Sequence, residues 1–227
     1  MTKVLSIRDL WDSHDIQRWT GALDAYWAYV RPENERLERE FERLDAQSVQ
    51  ELSPNGWYAF LLEKYFRWKY TAPNRYESTT AQLRKYCLGD GIAELDGIRS
   101  NLFRFDKNDI ASGLRIAAGI KGLGIAGASG LLAVLFPSFF GTVDQFALKA
   151  LRKIDDLPDR PVLLRGNPQA IGIRVGTAMI QVMRRKAAEN ARVFNTDSWT
   201  PRTIDMVLWA CRDPEEDAGK RRFRTHD

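Results

Sequence analysis

A glycine turn between two apolar helical segments constrains this 227-residue chain more than any other feature. Gly122-Leu123-Gly124 stands between Asn108 to Gly119 and Ile125 to Phe136, and both flanking segments have the apolar spacing of a helix. Glycine lets the backbone turn without side-chain clash, and free amides at the start of the second helix can bind phosphate. Pro137 ends that helix. The segment therefore predicts a helical hairpin that can hold nucleic acid.

A Val143-Asp144 pair follows the hairpin. With this pair, the segment Lys107 to Ile154 resembles the helix-hairpin-helix DNA glycosylase superfamily, in which a Val-Asp pair opens the next helix at about this distance. The resemblance implies an all-α fold with two helical lobes around a base-binding cleft. It also implies a monofunctional DNA N-glycosylase of DNA repair, which flips a damaged or modified base and hydrolyses its N-glycosidic bond. Asp144 would be the catalytic carboxylate.

A carboxylate at a helix start suits this chemistry for a physical reason. The glycosidic bond breaks through a sugar with oxocarbenium character, which a nearby carboxylate stabilises while it orients water. Free amides and the helix dipole at the start of a helix favour the ionised form of Asp144. The alternative is that Asp144 is only a helix N-cap, in a protein that binds nucleic acid without catalysis.

The residues around the hairpin are candidate contacts to nucleic acid. Lys121 directly precedes the turn and can contact a phosphate, whereas Gly122, Leu123 and Gly124 form the phosphate grip. Gln145 follows the catalytic candidate and can hydrogen-bond a base or a backbone group through its amide. An exposed lysine at a helix end is also common without function, so Lys121 has two interpretations.

Two departures from the superfamily limit the chemistry. Bifunctional members carry a Schiff-base lysine two residues after the second hairpin glycine, where this chain has Ala126. The endonuclease III branch binds an iron-sulfur cluster through four cysteines, whereas this chain has only Cys87 and Cys211. The histidines are His14 and His226, too few and too far apart for a metal cluster. The expectation is a glycosylase without strand cleavage, metal or cofactor.

An extruded base needs a pocket with aromatic or planar walls. Lys64 to Tyr70 and Asn74 to Tyr76 alternate aromatic residues with cations, which is a composition suited to base stacking and phosphate contact. The pocket candidates in these two segments are Trp68, Lys69, Tyr70 and Arg75. The competing interpretation places the aromatic residues in the core and the cations in solvent.

Two other functions compete for the hairpin segment. The residues from Gly122 to Gly127 satisfy the dinucleotide fingerprint G-x-G-x-x-G, but that motif needs a preceding strand and a parallel βαβ unit. The run from Gly122 to Val143 has no charged residue and is about long enough to cross a bilayer, although Pro137 interrupts it. A buried helix pair explains both features better, and no membrane partner is expected.

The rest of the chain predicts one helical domain over residues 1–212 and a mobile charged tail over 213–227. Asn34 to Glu40 alternates charges and predicts a solvated helix face, and Trp199 to Arg202 is expected to pack the last helix. Other predicted helices are Ser6–Val30, Pro32–Leu44, Trp57–Tyr70, Glu77–Cys87, Asp90–Leu102, Pro168–Phe194 and Thr200–Cys211, with a loop at Pro158–Pro161.

Charge and cysteine content are compatible with these functions. A net charge of +4 permits a DNA or RNA partner, and Arg184-Arg185-Lys186 can widen a phosphate footprint. Two distant cysteines and no signal sequence predict a reducing compartment, so we expect a cytoplasmic protein, associated with the nucleoid if it binds DNA.

Overall fold

The computed structural model describes residues 6–212, and every regular element in this range is a helix. The predicted all-α class is therefore confirmed. Because no strand occurs between residues 6 and 212, the hairpin glycines lack the parallel βαβ unit that dinucleotide binding requires. None of the helices in this range is long and apolar enough to cross a bilayer. The predicted tail, residues 213–227, lies outside the described residues.

The first half of the fold consists of short and medium helices. In chain order these are α1 (Ile7–Trp11), α2 (Ile16–Tyr29), α3 (Pro32–Glu42), α4 (Ala46–Gln50), α5 (Pro54–Ala59), a π-helical turn (Phe60–Tyr65), α6 (Phe66–Lys69), α7 (Pro73–Tyr86) and α8 (Gly91–Arg104).

The second half contains the predicted hairpin and the longest helix. Its elements are α9 (Ile110–Ala118), α10 (Ile125–Leu135), α11 (Gln145–Arg152), α12 (Arg160–Arg165), α13 (Ile173–Phe194) and α14 (Pro201–Ala210).

Several sequence predictions of helix extent are wrong, and the helix predicted from Glu77, for example, begins at Pro73. The segment Ser6–Val30 forms two helices, because Asp15 ends the intervening turn by accepting a hydrogen bond from the Gln17 amide and so starts α2 anew. The predicted loop at Pro158–Pro161 instead contains the start of α12, where proline in the first turn is tolerated. The long helix predicted from Pro168 begins only at Ile173.

Helix α10 has a face of small residues against which the aromatic segment packs. The hydroxyl group of Tyr65 donates a hydrogen bond to the Gly127 carbonyl, and both residues are buried. A methyl group built on Gly127 would lie 2.7 Å from the Tyr70 hydroxyl oxygen, and one on Gly130 would lie 2.8 Å from the Tyr65 hydroxyl oxygen. The glycines of α10 therefore bring the aromatic segment close to the hairpin.

The basic cluster of α13 has a structural role at two of its three positions. Arg184 donates hydrogen bonds to the carbonyl oxygens of Phe139 and Lys107, each at 2.6 Å. Lys186 is only 4% exposed and donates to the Trp11 carbonyl at 2.7 Å. Because these donors are used inside the protein, the predicted phosphate footprint is wrong for Arg184 and Lys186.

Candidate functional site

The two hairpin glycines occupy different environments. Gly122 has φ +91°, and a methyl group at its Cα would lie 2.6 Å from the Thr79 carbonyl oxygen. The Tyr70 hydroxyl group donates a hydrogen bond to the Gly122 carbonyl at 2.9 Å. Gly124 has φ −81° and no neighbouring atom within 4 Å of such a methyl group. Of the two, only Gly122 therefore needs to be glycine, because its φ is positive and because there is no room for a methyl group.

The outer surface of the hairpin offers donors to a ligand. Gly124 caps α10 without a side-chain hydrogen bond, so no side chain of residues 6–212 accepts from the first amides of this 11-residue helix. Lys121 is exposed beside the turn. Leu123 is buried, and its amide donates to the Ile120 carbonyl at 3.0 Å. The hairpin therefore presents the Lys121 ammonium group and the α10 amides, whereas the Leu123 amide and side chain are used internally.

We expect Tyr70→Phe to lower the free energy of unfolding by about 1 kcal/mol, because it removes one hydrogen bond to the hairpin backbone and leaves the Gly122 carbonyl without that donor. Urea unfolding of the two proteins measures the change. The matched control is Tyr29→Phe, which removes the hydroxyl group of a tyrosine that is 41% exposed. Equal stability of Tyr70→Phe and the wild type would contradict the assigned role.

Asp144 is the N-cap residue of α11, as the sequence suggested. Its Oδ1 atom accepts hydrogen bonds from the amides of Phe146 and Ala147, both at 2.8 Å. Within residues 6–212, Oδ2 has no hydrogen-bond donor. One carboxylate oxygen thus fixes the start of the helix, and the second is available to a ligand.

The backbone that leads into Asp144 is fixed by two buried side chains. The Val143 amide donates to Oγ of Ser129 at 2.9 Å, and Ser129 belongs to the second hairpin helix. The Thr142 amide donates to Oδ2 of Asp205 at 2.9 Å, and Asp205 belongs to α14. Asp144 is therefore held in a defined position relative to both the hairpin and the last helix.

A cavity of about 670 Å³ opens beside Asp144. Helices α2, α3, α6 and α14 contribute to its wall together with the segment that leads into α11. Five of the lining side chains are aromatic, namely Tyr26, Tyr29, Trp68, Phe146 and Trp209. The charged lining residues are Arg31, Glu38, Lys69, Asp144, Arg202, Asp205 and Arg212.

Arg202 links two buried acids in the cavity wall. Its guanidinium group contacts Oε1 of Glu38 and Oδ2 of Asp205, each at 2.5 Å. Glu38 is 7% exposed, and its second oxygen accepts a hydrogen bond from the Trp68 indole at 2.5 Å. The Tyr26 hydroxyl oxygen accepts from Arg202 at 3.3 Å. This network joins α2, α3, α6 and α14 at one point.

Lys69 provides an amine in the same cavity. Its side chain is half-buried, and among the described residues its ammonium group has no hydrogen-bond acceptor and no ion-pair partner. Burial lowers the pKa of Lys69, while the nearby carboxylates of Asp144 and Asp205 oppose that shift. The cavity thus contains an amine for which the nearby carboxylates offset only part of the effect of burial.

The predicted site residues separate into three groups. Trp68, Lys69 and Asp144 line one cavity, as expected for members of one site. Tyr70 supports the hairpin from beneath instead of lining that cavity, and Arg75 is exposed on α7. The side-chain oxygen Oε1 of Gln145 accepts a hydrogen bond from the side-chain amide Nε2 of Gln169 at 2.7 Å. The last is an exposed contact outside the cavity lining.

Sequence reasoning missed the buried ionic network. Asn34 to Glu40 was predicted to be a solvated face, yet Glu38 is buried against Arg202, which lies 164 residues further along the chain. Arg202 was expected only to pack the last helix. No local pattern pairs these residues, although a glutamate at helical spacing from the buried Phe41 is a weak signal for an inward position.

Comparisons of this chain with protein-family models, with curated proteins and with solved structures find no match. The cavity, its charged side chains and the hairpin are therefore the features from which a function can be inferred.

Proposed function

We propose that the protein is a monofunctional DNA N-glycosylase that hydrolyses the bond between a damaged or modified base and its sugar. The observation that carries the proposal is the position of Asp144, which has an uncommitted Oδ2 atom at the wall of an aromatic cavity. An aspartate that served only as a helix cap would not need such a cavity. The proposed arrangement is glycosylase-like, with two helical lobes around the base.

The cavity has suitable size and chemistry for a flipped nucleotide. Its volume of about 670 Å³ falls in the usual range of small-molecule sites, roughly 300–1,000 Å³. Trp68 lines the cavity and offers a flat apolar ring on which an extruded base can stack. Stacking contributes about 1–3 kcal/mol per base, which offsets part of the unstacking cost.

The hairpin supplies the contact to the DNA backbone in this proposal. A phosphate group would accept hydrogen bonds from the first amides of α10, and Lys121 would add a positive charge beside them. The hydrogen bond from Val143 to Ser129 connects α10 to the residue that precedes Asp144. A backbone phosphate held at the hairpin is thus coupled to the position of the carboxylate.

Asp144 would act on the sugar. As the bond to the base lengthens, positive charge develops on the sugar ring, and the Oδ2 carboxylate oxygen stabilises that charge. The same oxygen orients the water molecule that adds to the sugar and accepts its proton. Lys69 lines the same cavity. Its positive charge would offset part of the repulsion between the cavity carboxylates and the incoming phosphates.

We expect Asp144→Asn to lower the rate of base release by at least about 100-fold, because asparagine preserves the helix cap but removes the negative charge. The measurement is mass spectrometry of free bases after incubation with DNA duplexes that carry alkylated, oxidised, deaminated or mismatched bases. Asp109→Asn is the matched control, since Asp109 caps α9 through the Ser112 amide and is not part of the cavity lining. A rate for Asp144→Asn equal to that of Asp109→Asn would contradict a catalytic role.

A second candidate function is non-catalytic binding of DNA or RNA through the hairpin. It is favoured by the complete N-cap geometry of Asp144, which gives the carboxylate a structural purpose of its own. DNA binding without base release by the wild type, over the whole panel, would support this candidate and remove the glycosylase proposal.

A further inference from the structure

Asp205 is a second carboxyl group in the cavity wall, and its two oxygens are used unequally. Its side chain is 4% exposed. Oδ2 accepts from the Thr142 amide at 2.9 Å and from Arg202 at 2.5 Å. Over residues 6–212, Oδ1 has no hydrogen-bond partner. A buried acid with one fixed oxygen and one uncommitted oxygen can carry a proton on the latter without losing either contact.

The charges that face Asp205 favour a proton at this position. Arg202, on the same helix, is shared with Glu38 of α3, so one cation serves two carboxylates. Asp144 adds a further negative charge from the start of α11, and Tyr26 of α2 is neutral because burial raises its pKa. Lys69 of α6 offsets only part of this charge, since burial lowers its pKa.

The pKa of Asp205 lies above that of an ordinary aspartate. Burial raises the pKa of Asp205, Arg202 opposes this shift, and the negative charge of Asp144 adds to it. Two carboxyl groups held in different environments at one site can divide the roles of proton donor and ionised base.

We propose that Asp205 is the proton donor to the departing base, and that Asp144 is the ionised carboxylate of the same reaction. This inference rests on the proposed glycosylase function, and it adds a second catalytic group to it. The geometry that supports it is the shared cavity, the burial of Asp205 and its uncommitted Oδ1 atom.

In the proposed step, proton transfer from Asp205 accompanies cleavage of the bond between the sugar and the base. The bond between the sugar and the base nitrogen breaks, and its electron pair goes to the base. Oδ1 of Asp205 transfers its proton to the base, so the base leaves as a neutral molecule. A water oxygen forms the new bond to the sugar, and the proton that water loses passes to Asp144 and then to solvent. Solvent finally returns a proton to Asp205, which restores the starting state.

A pair of DNA probes separates this role from a structural one. A base that already carries a positive charge, as in a duplex with 7-methylguanine, leaves as a neutral molecule without protonation. A neutral base, as in a duplex with hypoxanthine, leaves more easily once it is protonated. We expect Asp205→Asn to slow release of hypoxanthine by about 100-fold and to change release of 7-methylguanine by no more than a few fold.

Tyr26→Phe is the matched control, because it removes a neutral group that accepts a hydrogen bond from Arg202 and leaves the charges around Asp205 unchanged. Any loss it causes should be the same for the two probes, since it acts through the position of Arg202. Equal losses on both probes for Asp205→Asn would reduce Asp205 to a structural residue and overturn the inference.

Infrared difference spectroscopy tests the proton directly, without a substrate. The wild type and Tyr26→Phe should show the carbonyl stretch of a protonated acid that titrates above the ordinary aspartate range, and Asp205→Asn should lack it. If Asp205→Asn does not fold, the wild type still decides, because hypoxanthine release must fall as pH rises through the titration of this band. A missing band overturns the role of Asp205 alone. Absence of base release by the wild type from every duplex of the panel overturns the glycosylase function as well.

Discussion

Arg202→Met should lower the free energy of unfolding by about 3–5 kcal/mol, because it leaves two buried carboxyl groups without their cation. The side chains of Arg202, Glu38 and Asp205 are only 14%, 9% and 4% exposed in these ion pairs. Methionine fills a similar volume, so the loss reports mainly on charge and hydrogen bonding. Guanidinium unfolding monitored by tryptophan fluorescence gives the free energy directly.

An exposed ion pair provides the comparison for Arg202. Arg185 pairs with Asp159 on the surface, where the arginine side chain is 50% exposed, so Arg185→Met should cost no more than about 1 kcal/mol. Similar losses for the two variants would show that the buried network contributes little beyond an ordinary surface pair. Adding Glu38→Gln and Asp205→Asn to Arg202→Met should recover part of the lost stability, since neither buried carboxyl group then remains without its cation.

The loss in the free energy of unfolding caused by Arg202→Met should also depend on pH. Arg202 opposes the rise that burial causes in the pKa of Asp205, so loss of the arginine raises the folded-state pKa of this acid further above its unfolded-state value. A raised carboxyl pKa destabilises the folded protein at pH values above the unfolded-state pKa, and this penalty disappears as both states become protonated. The difference between variant and wild type should therefore shrink as the pH falls below the ordinary carboxyl range.

The sequence predicted the hairpin well because the signals for it are local. Asp109 caps α9 and Asp144 caps α11, each within three residues of the amide that it binds. Helix α10 was predicted to span Ile125 to Phe136 and ends at Leu135, two residues before Pro137. Capping residues, glycines and prolines act over a few positions, so their spacing is sufficient to locate these helices.

The composition of the cavity could not be predicted in this way. The sequence placed Trp68 and Lys69 in one group because they are neighbours in an aromatic and basic segment, and both line the cavity. Glu38 and Arg202 meet across 164 residues, and their contact depends on how α3 and α14 pack. Burial of a charged residue follows from its partner rather than from its own type. The run of alternating charges from Asn34 to Glu40 therefore gives no local sign that Glu38 faces inward.

The hairpin glycines illustrate the same limit at a single turn. Sequence reasoning assigned Gly122 and Gly124 the same role, because each can turn without clash. Gly122 alone has a left-handed backbone, and the Thr79 carbonyl of α7 occupies the space that a side chain would need. The requirement at Gly122 thus comes from a helix that ends about 35 residues earlier in the chain, and it cannot be read from the turn itself.

Gly122→Ala should destabilise the protein by about 2–4 kcal/mol and also weaken DNA binding. The estimate combines the cost of a left-handed backbone for alanine with the cost of moving the Thr79 carbonyl away from the new methyl group. The displaced hairpin would also lose the hydrogen bond that Tyr70 donates to the Gly122 carbonyl. Urea unfolding measures the first effect, and fluorescence anisotropy with a labelled duplex at low salt measures the second.

Gly124→Ala is the control that makes this test specific. Its backbone is extended and nothing lies within 4 Å of an added methyl group, so we expect a loss within about 1 kcal/mol from the weaker N-cap. DNA affinity should change little, because the amides of α10 keep their positions. If Gly122→Ala bound DNA as tightly as Gly124→Ala while remaining folded, the hairpin would not be the contact to the DNA backbone. The nucleic acid would then have to be held elsewhere around the cavity.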